Sequence, residues 1–150
     1  MAEEHFGGGL LGPLVGYHLR RASGAFAADF IATMEGTGMR QVLFAILATV
    51  SDAPGINQGT VGRILGIKRA NMVALINELI DAKLVTRKTD PADRRAFLLH
   101  ITAKGRTTLA DALARVAAHE EKMLVGFTEA ERETLLELLG RIERREPEIS

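Results

Sequence analysis

The stretch "INQGTVGRILGIKRANMVALINELIDAKLV", residues 56 to 85, sets the tightest limit on what this chain can fold into. Apolar residues recur at steps of three and four on both sides of Gly66, a helical and not a strand period. Asn57 is a plausible N-cap, because its short side chain can accept a free helix-terminal N–H. Val61, Ile64 and Leu65 give the first helix a short apolar face, and Gly66 stops it. A second helix is predicted from near Lys68, with Met72, Leu75, Ile76, Leu79 and Ile80 as core candidates. Two short helices joined by a tight glycine turn outline a helix-turn-helix.

A hairpin comes next along the chain. "LVTRK" and "AFLLHIT" read as two β-strands, and "TDPADRR" as the turn between them. The basic residues Arg87, Lys88, Arg94 and Arg95 cluster around that turn, while apolar residues lie along the strands.

The flanks are helical. Residues 1 to 9, ending in three glycines, read as a mobile arm, and Pro13 suits the first turn of a helix. Val15, Leu19, Ala22, Phe26, Phe30 and Met34 then form one stripe, ended by "EGTG". A second helix carries Val42, Leu43, Ile46, Leu47 and Val50 and closes at "SDAPG". Thr102 can cap a long helix bearing Leu109, Leu113, Val116, Met123 and Phe127 in a near-heptad stripe. Thr128 and Glu131 form a T-x-x-E capping box for a last helix with Leu135, Leu139 and Ile142. The predicted order is α-α-α-α-β-β-α-α, a mainly α fold with a small β-hairpin.

Charge is unevenly placed. The chain has no net charge, yet residues 57 to 106 hold ten Lys/Arg and four Asp/Glu, a balance of +6. Residues 1 to 56 balance at −2 and residues 107 to 150 at −4. A cationic middle third between acidic flanks is the pattern of a segment that meets a polyanion. There is no cysteine, which removes disulfides, thiolate metal sites and thiol redox chemistry. The four histidines, His5, His18, His100 and His119, are scattered without ligand spacing, so no metal is expected. Glu3 and Glu4 argue against a signal peptide, and no apolar run approaches the ~20 residues of a membrane span. A soluble, cytoplasmic protein without membrane contact is expected. No Gly-rich phosphate loop, nucleophile elbow or Ser/His/Asp constellation is present, so no enzyme and no cofactor are expected.

If Met72, Leu75, Ile76 and Leu79 point inward, Lys68, Arg69, Ala70, Asn71, Val73, Ala74 and Asn77 are left for the outward side. Asn71 suits paired hydrogen bonds to an adenine, and Val73 and Ala74 suit thymine methyls. Lys68 and Arg69 suit phosphate or guanine. A basic hairpin beside such a helix can enter an adjacent narrow minor groove, whose negative potential attracts arginine.

A helix-turn-helix followed by a basic hairpin is a winged helix, and the sequence resembles the MarR family of bacterial transcription regulators. "INQGTVGRILGI" is similar to the family's support helix, with Gln58, Val61, Leu65, Gly66 and Ile67 at the typical positions. "NELIDAKLVTRKTDPADRRAFLLHITAKG" matches the end of the recognition helix, the wing and the next helix start, including Asp93 to Arg95 and the T-x-x-G at Thr102 to Gly105. Two departures stand out. Gly62 replaces the usual alanine, which would permit closer packing, and Lys68-Arg69-Ala70-Asn71 replaces a Ser/Thr-rich start of the recognition helix.

The resemblance implies a ligand-responsive repressor that binds a palindromic double-stranded operator as a homodimer. It implies an arm and dimerisation helix over residues 1–38, a winged helix-turn-helix over 39–101, and dimerisation helices over 102–150. It points to Arg95 as the minor-groove residue and Asp93 as its orienting partner, with Arg87, Lys88 and Arg94 on phosphates. It also implies a small-molecule effector between dimer helices and winged lobe. Tyr17, His18, Arg20, Arg21, Arg115 and His119 could take an aromatic carboxylate or its coenzyme A thioester. A winged helix that binds another protein, without sequence-specific DNA binding, is the alternative.

Overall fold

The apolar face of the second helix organises the chain. In a computed structural model that describes residues 9 to 145, the elements run α1 (Val15–Thr33), α2 (Gln41–Asp52), β1 (Ile56–Asn57), α3 (Gln58–Leu65) and α4 (Arg69–Asp81), then β2 (Val85–Thr89), β3 (Phe97–Ile101), α5 (Ala103–Met123) and α6 (Glu129–Glu143). The arm expected over residues 1 to 9 lies outside the described residues except for Gly9, as does His5. Ile46, Leu47 and Val50 of α2 have no exposed surface. They belong to one core with Val61 of α3, Met72, Ile76 and Leu79 of α4, and Leu99 of β3. Each large apolar side chain buried this way contributes about 1.5–3 kcal/mol. A surface ion pair contributes about 0–1 kcal/mol, so packing and not charge fixes these helices.

The other stops and starts hold, but α1 begins at Val15 with Leu14 as its N-cap, so Pro13 lies before the helix and not in its first turn. The Asn57 side chain accepts from Gly59 N at 2.8 Å and caps α3. Gly66 ends that helix at φ +68°, a left-handed conformation that costs glycine little. Gly62 is buried, and a Cβ there would stand 3.0 Å from Met72 Cγ, so the missing methyl does let α3 and α4 close together. Thr102 caps α5 through Gly105 N, and Thr128 with Glu131 completes both halves of the capping box on α6.

Three expectations need correction. The hairpin is part of a three-stranded antiparallel sheet in the order β1-β3-β2, with Ile56 opposite Leu99. Two-residue β1 has no periodicity to read; it exists because Gly55 N and Ile56 meet the free edge of β3. Ile64 is 61% exposed instead of core, because buried Val61 and Gly62 set the phase of this short helix. On the near-heptad stripe, Leu113 is exposed in the single chain, and Phe127 lies beyond the end of α5 at Met123 and is exposed as well.

Around the root of the wing the backbone is tightly joined. Lys83 takes φ +61°, and Leu84 N returns to Leu79 O, turning the chain from α4 into β2. Thr102 donates its backbone N–H to Leu84 O and its hydroxyl to Lys83 O at 2.7 Å. Gly105 sits so close that a Cβ would overlap the Leu84 carbonyl oxygen.

α5 returns along α1 and is clamped to it. His119 Nδ1 donates to Asp29 Oδ2 at 2.6 Å, Lys122 donates to Asp29 Oδ1, and Arg115 reaches the Thr33 carbonyl. His119 is buried with its ring edge-on to Phe26 and Phe30. Hydrogen bonds from His119 and then Lys122 hold the Asp29 carboxyl below the ordinary carboxylate range. The beginning of α1 has no such cover: Val15 and Leu19 are exposed, and α6 buries no residue.

A carboxyl whose pKa is lowered by folding stabilises the protein above its unfolded pKa, and that gain disappears as pH falls through the folded value. Asp29→Asn is therefore expected to melt below wild type at neutral pH. The gap should be full above about pH 4 and should close in stronger acid. Thermal melts across that range read it, and a pH-independent gap would exclude the carboxylate charge as its source.

Candidate nucleic-acid interface

The exposed side of α4 is set by which side is buried. With Met72, Ile76 and Leu79 sealed into the core, Lys68, Arg69, Ala70, Asn71, Val73, Ala74 and Asn77 are all exposed. Lys68 is the N-cap residue of α4, and Arg69 begins its first turn.

A cleft of about 500 Å³ separates this helix from the wing. Arg69 and Val73 line it from α4, Asp93 and Arg95 from the wing, and Gln58 and Arg63 from α3. At the wing tip Asp93 Oδ1 accepts from Arg95 N at 3.0 Å and lies 3.5 Å from Arg95 Nε. The Arg95 side chain is otherwise 91% exposed, so its charge is presented outward with little desolvation. Arg94 is exposed on the same turn.

Asn71 does not line this cleft. It lies two helical turns before Glu78, on the same flank of α4. Glu78 accepts from Nη1 and Nη2 of Arg40 at 2.5 and 2.9 Å, and this hydrogen bonding lowers the Glu78 pKa. That flank therefore faces the start of α2, away from the wing.

The strand residues divide by pleat. Arg87 is opposite Leu99 and shares its inward face, whereas Lys88 is opposite Leu98 on the other face of the sheet. Arg87 is engaged twice, on Asn77 and over the Phe97 ring. Its expected placement on phosphate therefore competes with contacts inside the protein.

Sequence reasoning left Gln58 and Arg63 out of the site. Arg63 lies one turn after Gly59 on the exposed side of α3, and it donates to Thr60 Oγ1 at 3.0 Å. A basic residue on the outward phase of the support helix was a usable signal. Gln58 is buried, and its Oε1 has no hydrogen-bond partner among the described residues, which no sequence pattern announces.

The six residues expected to hold a ligand do not form one group. Tyr17 accepts from Arg21 at 3.3 Å and His18 bonds the Gly12 carbonyl at 2.9 Å, both near the start of α1. Arg20 is exposed beside them. Arg115 and His119 belong to the clamp at the other end of α1, where Arg115 also pairs with Asp111. Twelve helical residues from Tyr17 to Asp29 span about 18 Å. Among the described residues no cluster of three or more His, Asp or Glu side chains could hold a metal, and no helix is long and apolar enough to cross a membrane.

Comparison with known proteins gives this geometry a lineage. Residues 38–96 match the family model described as MarR family, a span that runs from before α2 to the end of the wing turn. A protein of Thauera aromatica, described as a putative transcriptional regulatory protein for the hcr operon, is 32% identical over 142 residues, covering 94% of this chain and 85% of its own. The transcriptional repressor CouR, solved on a 23-mer DNA duplex, superposes with a TM-score of 0.83 at 36% identity, over 87% of this chain and 93% of that one. CouR bound to p-coumaroyl-CoA superposes with a TM-score of 0.79 at 33% identity, over 89% and 94%. These relatives are regulators and not enzymes, and they share the winged helix-turn-helix built by α3, α4 and the β2–β3 wing: this chain belongs to the MarR family of transcriptional regulators.

Proposed function

We propose that this MarR-type regulator represses transcription by binding a near-palindromic operator as a homodimer, and that it lets go when a small molecule binds. One observation carries the DNA part of the reading. The exposed start of α4 and the outward Arg95 border one cleft, to which Arg63 and Arg69 add positive charge. In this reading α4 enters the major groove. Arg69 and Val73 read on the wing side, Ala74 and Asn71 lie further round, and Lys68 sits at the leading end. Arg95, oriented by Asp93, enters the flanking minor groove, and Arg94 and Lys88 hold phosphates.

Dimerisation is supported by apolar surface that a lone chain leaves wet. Leu10, Leu14 and Val15 lead into or begin α1, and Leu136, Leu138 and Ile142 lie on α6; all are exposed. Pairing these flanks would set two copies of the 39–101 unit about one DNA turn apart, about 34–36 Å. Selection from a random duplex pool tests both points together. An inverted repeat is expected, and an affinity that falls steeply with salt. Binding that ignores salt, or enrichment of no duplex, would favour the protein-binding alternative. On the selected duplex, Arg95→Ala is expected to lose about 1–3 kcal/mol of binding. Unchanged affinity removes Arg95 from the interface.

For the effector, the CouR complex with p-coumaroyl-CoA supports an aromatic carboxylate or its coenzyme A thioester. Arg115 and His119 are committed to the α1–α5 clamp, so we place the anion nearer Tyr17, His18, Arg20 and Arg21. Thermal-shift measurements with aromatic acids and their thioesters should show stabilisation by at least one thioester, weakened in Arg20→Ala. No shift with any compound rejects this chemistry.

A further inference from the structure

We infer that Arg87 is a positioning residue that braces the wing against the recognition helix. The inference rests on the proposed DNA-binding role of α4 and the wing, and deepens it. The Arg87 guanidinium carbon stands 4.6 Å from the centroid of the Phe97 ring, and Nη1 donates to Asn77 Oδ1 at 3.3 Å. Arg87 and Phe97 are diagonal neighbours on one face of the hairpin, since Arg87 is opposite Leu99 and Thr89 opposite Phe97. Asn77 belongs to α4 and Phe97 to β3, so one side chain joins the two elements proposed to read separate grooves.

A two-stranded arm held at its root is free to swing at its tip. A planar cation stacked on the far strand and hydrogen-bonded to the helix removes that freedom before DNA arrives. The ordering cost is then met in folding and not at the moment of binding. Arginine suits the task where lysine does not, because only the guanidinium combines a flat face with a donor fork. The brace leaves Arg95 at the tip exposed, so charge that orients the wing and charge that meets the groove are different residues.

The test uses the duplex enriched from the random pool, with wild type, R87K, R87A, F97L and the double variant R87K/F97L at several salt concentrations. A brace predicts that R87K and F97L each weaken binding by about threefold to tenfold, the scale of one cation–π contact, with the salt slope unchanged. The double variant should bind no worse than the weaker single one. Wild-type affinity in R87K, or a salt slope lowered by about one in R87A, marks a phosphate contact and overturns the inference. A DNA-free measurement decides the matter separately. Arg87 side-chain protons should carry upfield ring-current shifts in the NMR spectrum of the free protein, lost in F97L. Unshifted Arg87 resonances in wild type overturn the brace on their own, even where F97L folds poorly. Failure of wild type to enrich any duplex counts against the DNA reading and leaves the spectrum to judge the brace.

Discussion

Burial of one face of α2 is the constraint on which the winged helix-turn-helix depends. Ile46, Leu47 and Val50 are fully enclosed, and α1, α3, α5 and β3 all pack on that helix. Because α4 contributes Met72, Ile76 and Leu79 to the same core, its rotation about its own axis is fixed from behind. The exposed row from Arg69 to Asn77 is then whatever the core does not use. Removing a core side chain such as Ile76 would cost about 2–5 kcal/mol and would loosen the aim of that row before it touched any surface group.

Polarity is sorted along the chain in a matching way. The middle third carries the positive excess and presents it around a cleft, while the segments 1–56 and 107–150 each balance negative and expose leucines, isoleucines and valines. Where the flanks touch within one chain, the contact is specific: Asp29 gathers His119 and Lys122, and two phenylalanine rings meet His119 edge-on. The clamp holds the far end of α1 to α5 and leaves its near end, with Tyr17 and His18, outside it.

Much of this was legible in the residues, because it is encoded locally. Asn57, Gly66, Thr102 and the Thr128–Glu131 pair act on neighbours within a few positions, so their roles can be read without knowing the fold. The stripe Met72, Ile76 and Leu79 was legible for the same reason. What escaped depends on distant partners. β1 is two residues recruited by the edge of β3, and Ile64 is outward because buried Gly62 takes the inward phase against Met72. In the sequence Arg87 is one more cation of the wing; only the fold brings Phe97 and Asn77 beside it. Residue type alone groups Tyr17 with His119, but packing of α5 on α1 sets them toward opposite ends of α1.

The carbonyl of Leu84 is where three lines of the structure meet. It accepts the Thr102 amide, stands 3.2 Å from the Thr102 hydroxyl and lies directly under Gly105, while the Leu84 amide is tied back to Leu79. Only residues 82–84 separate α4 from β2, and Thr102 alone separates β3 from α5. The junction is a weld and not a hinge. Displacing the first turn of α5 would therefore have to move the Leu84 carbonyl, and with it the turn that joins α4 to β2.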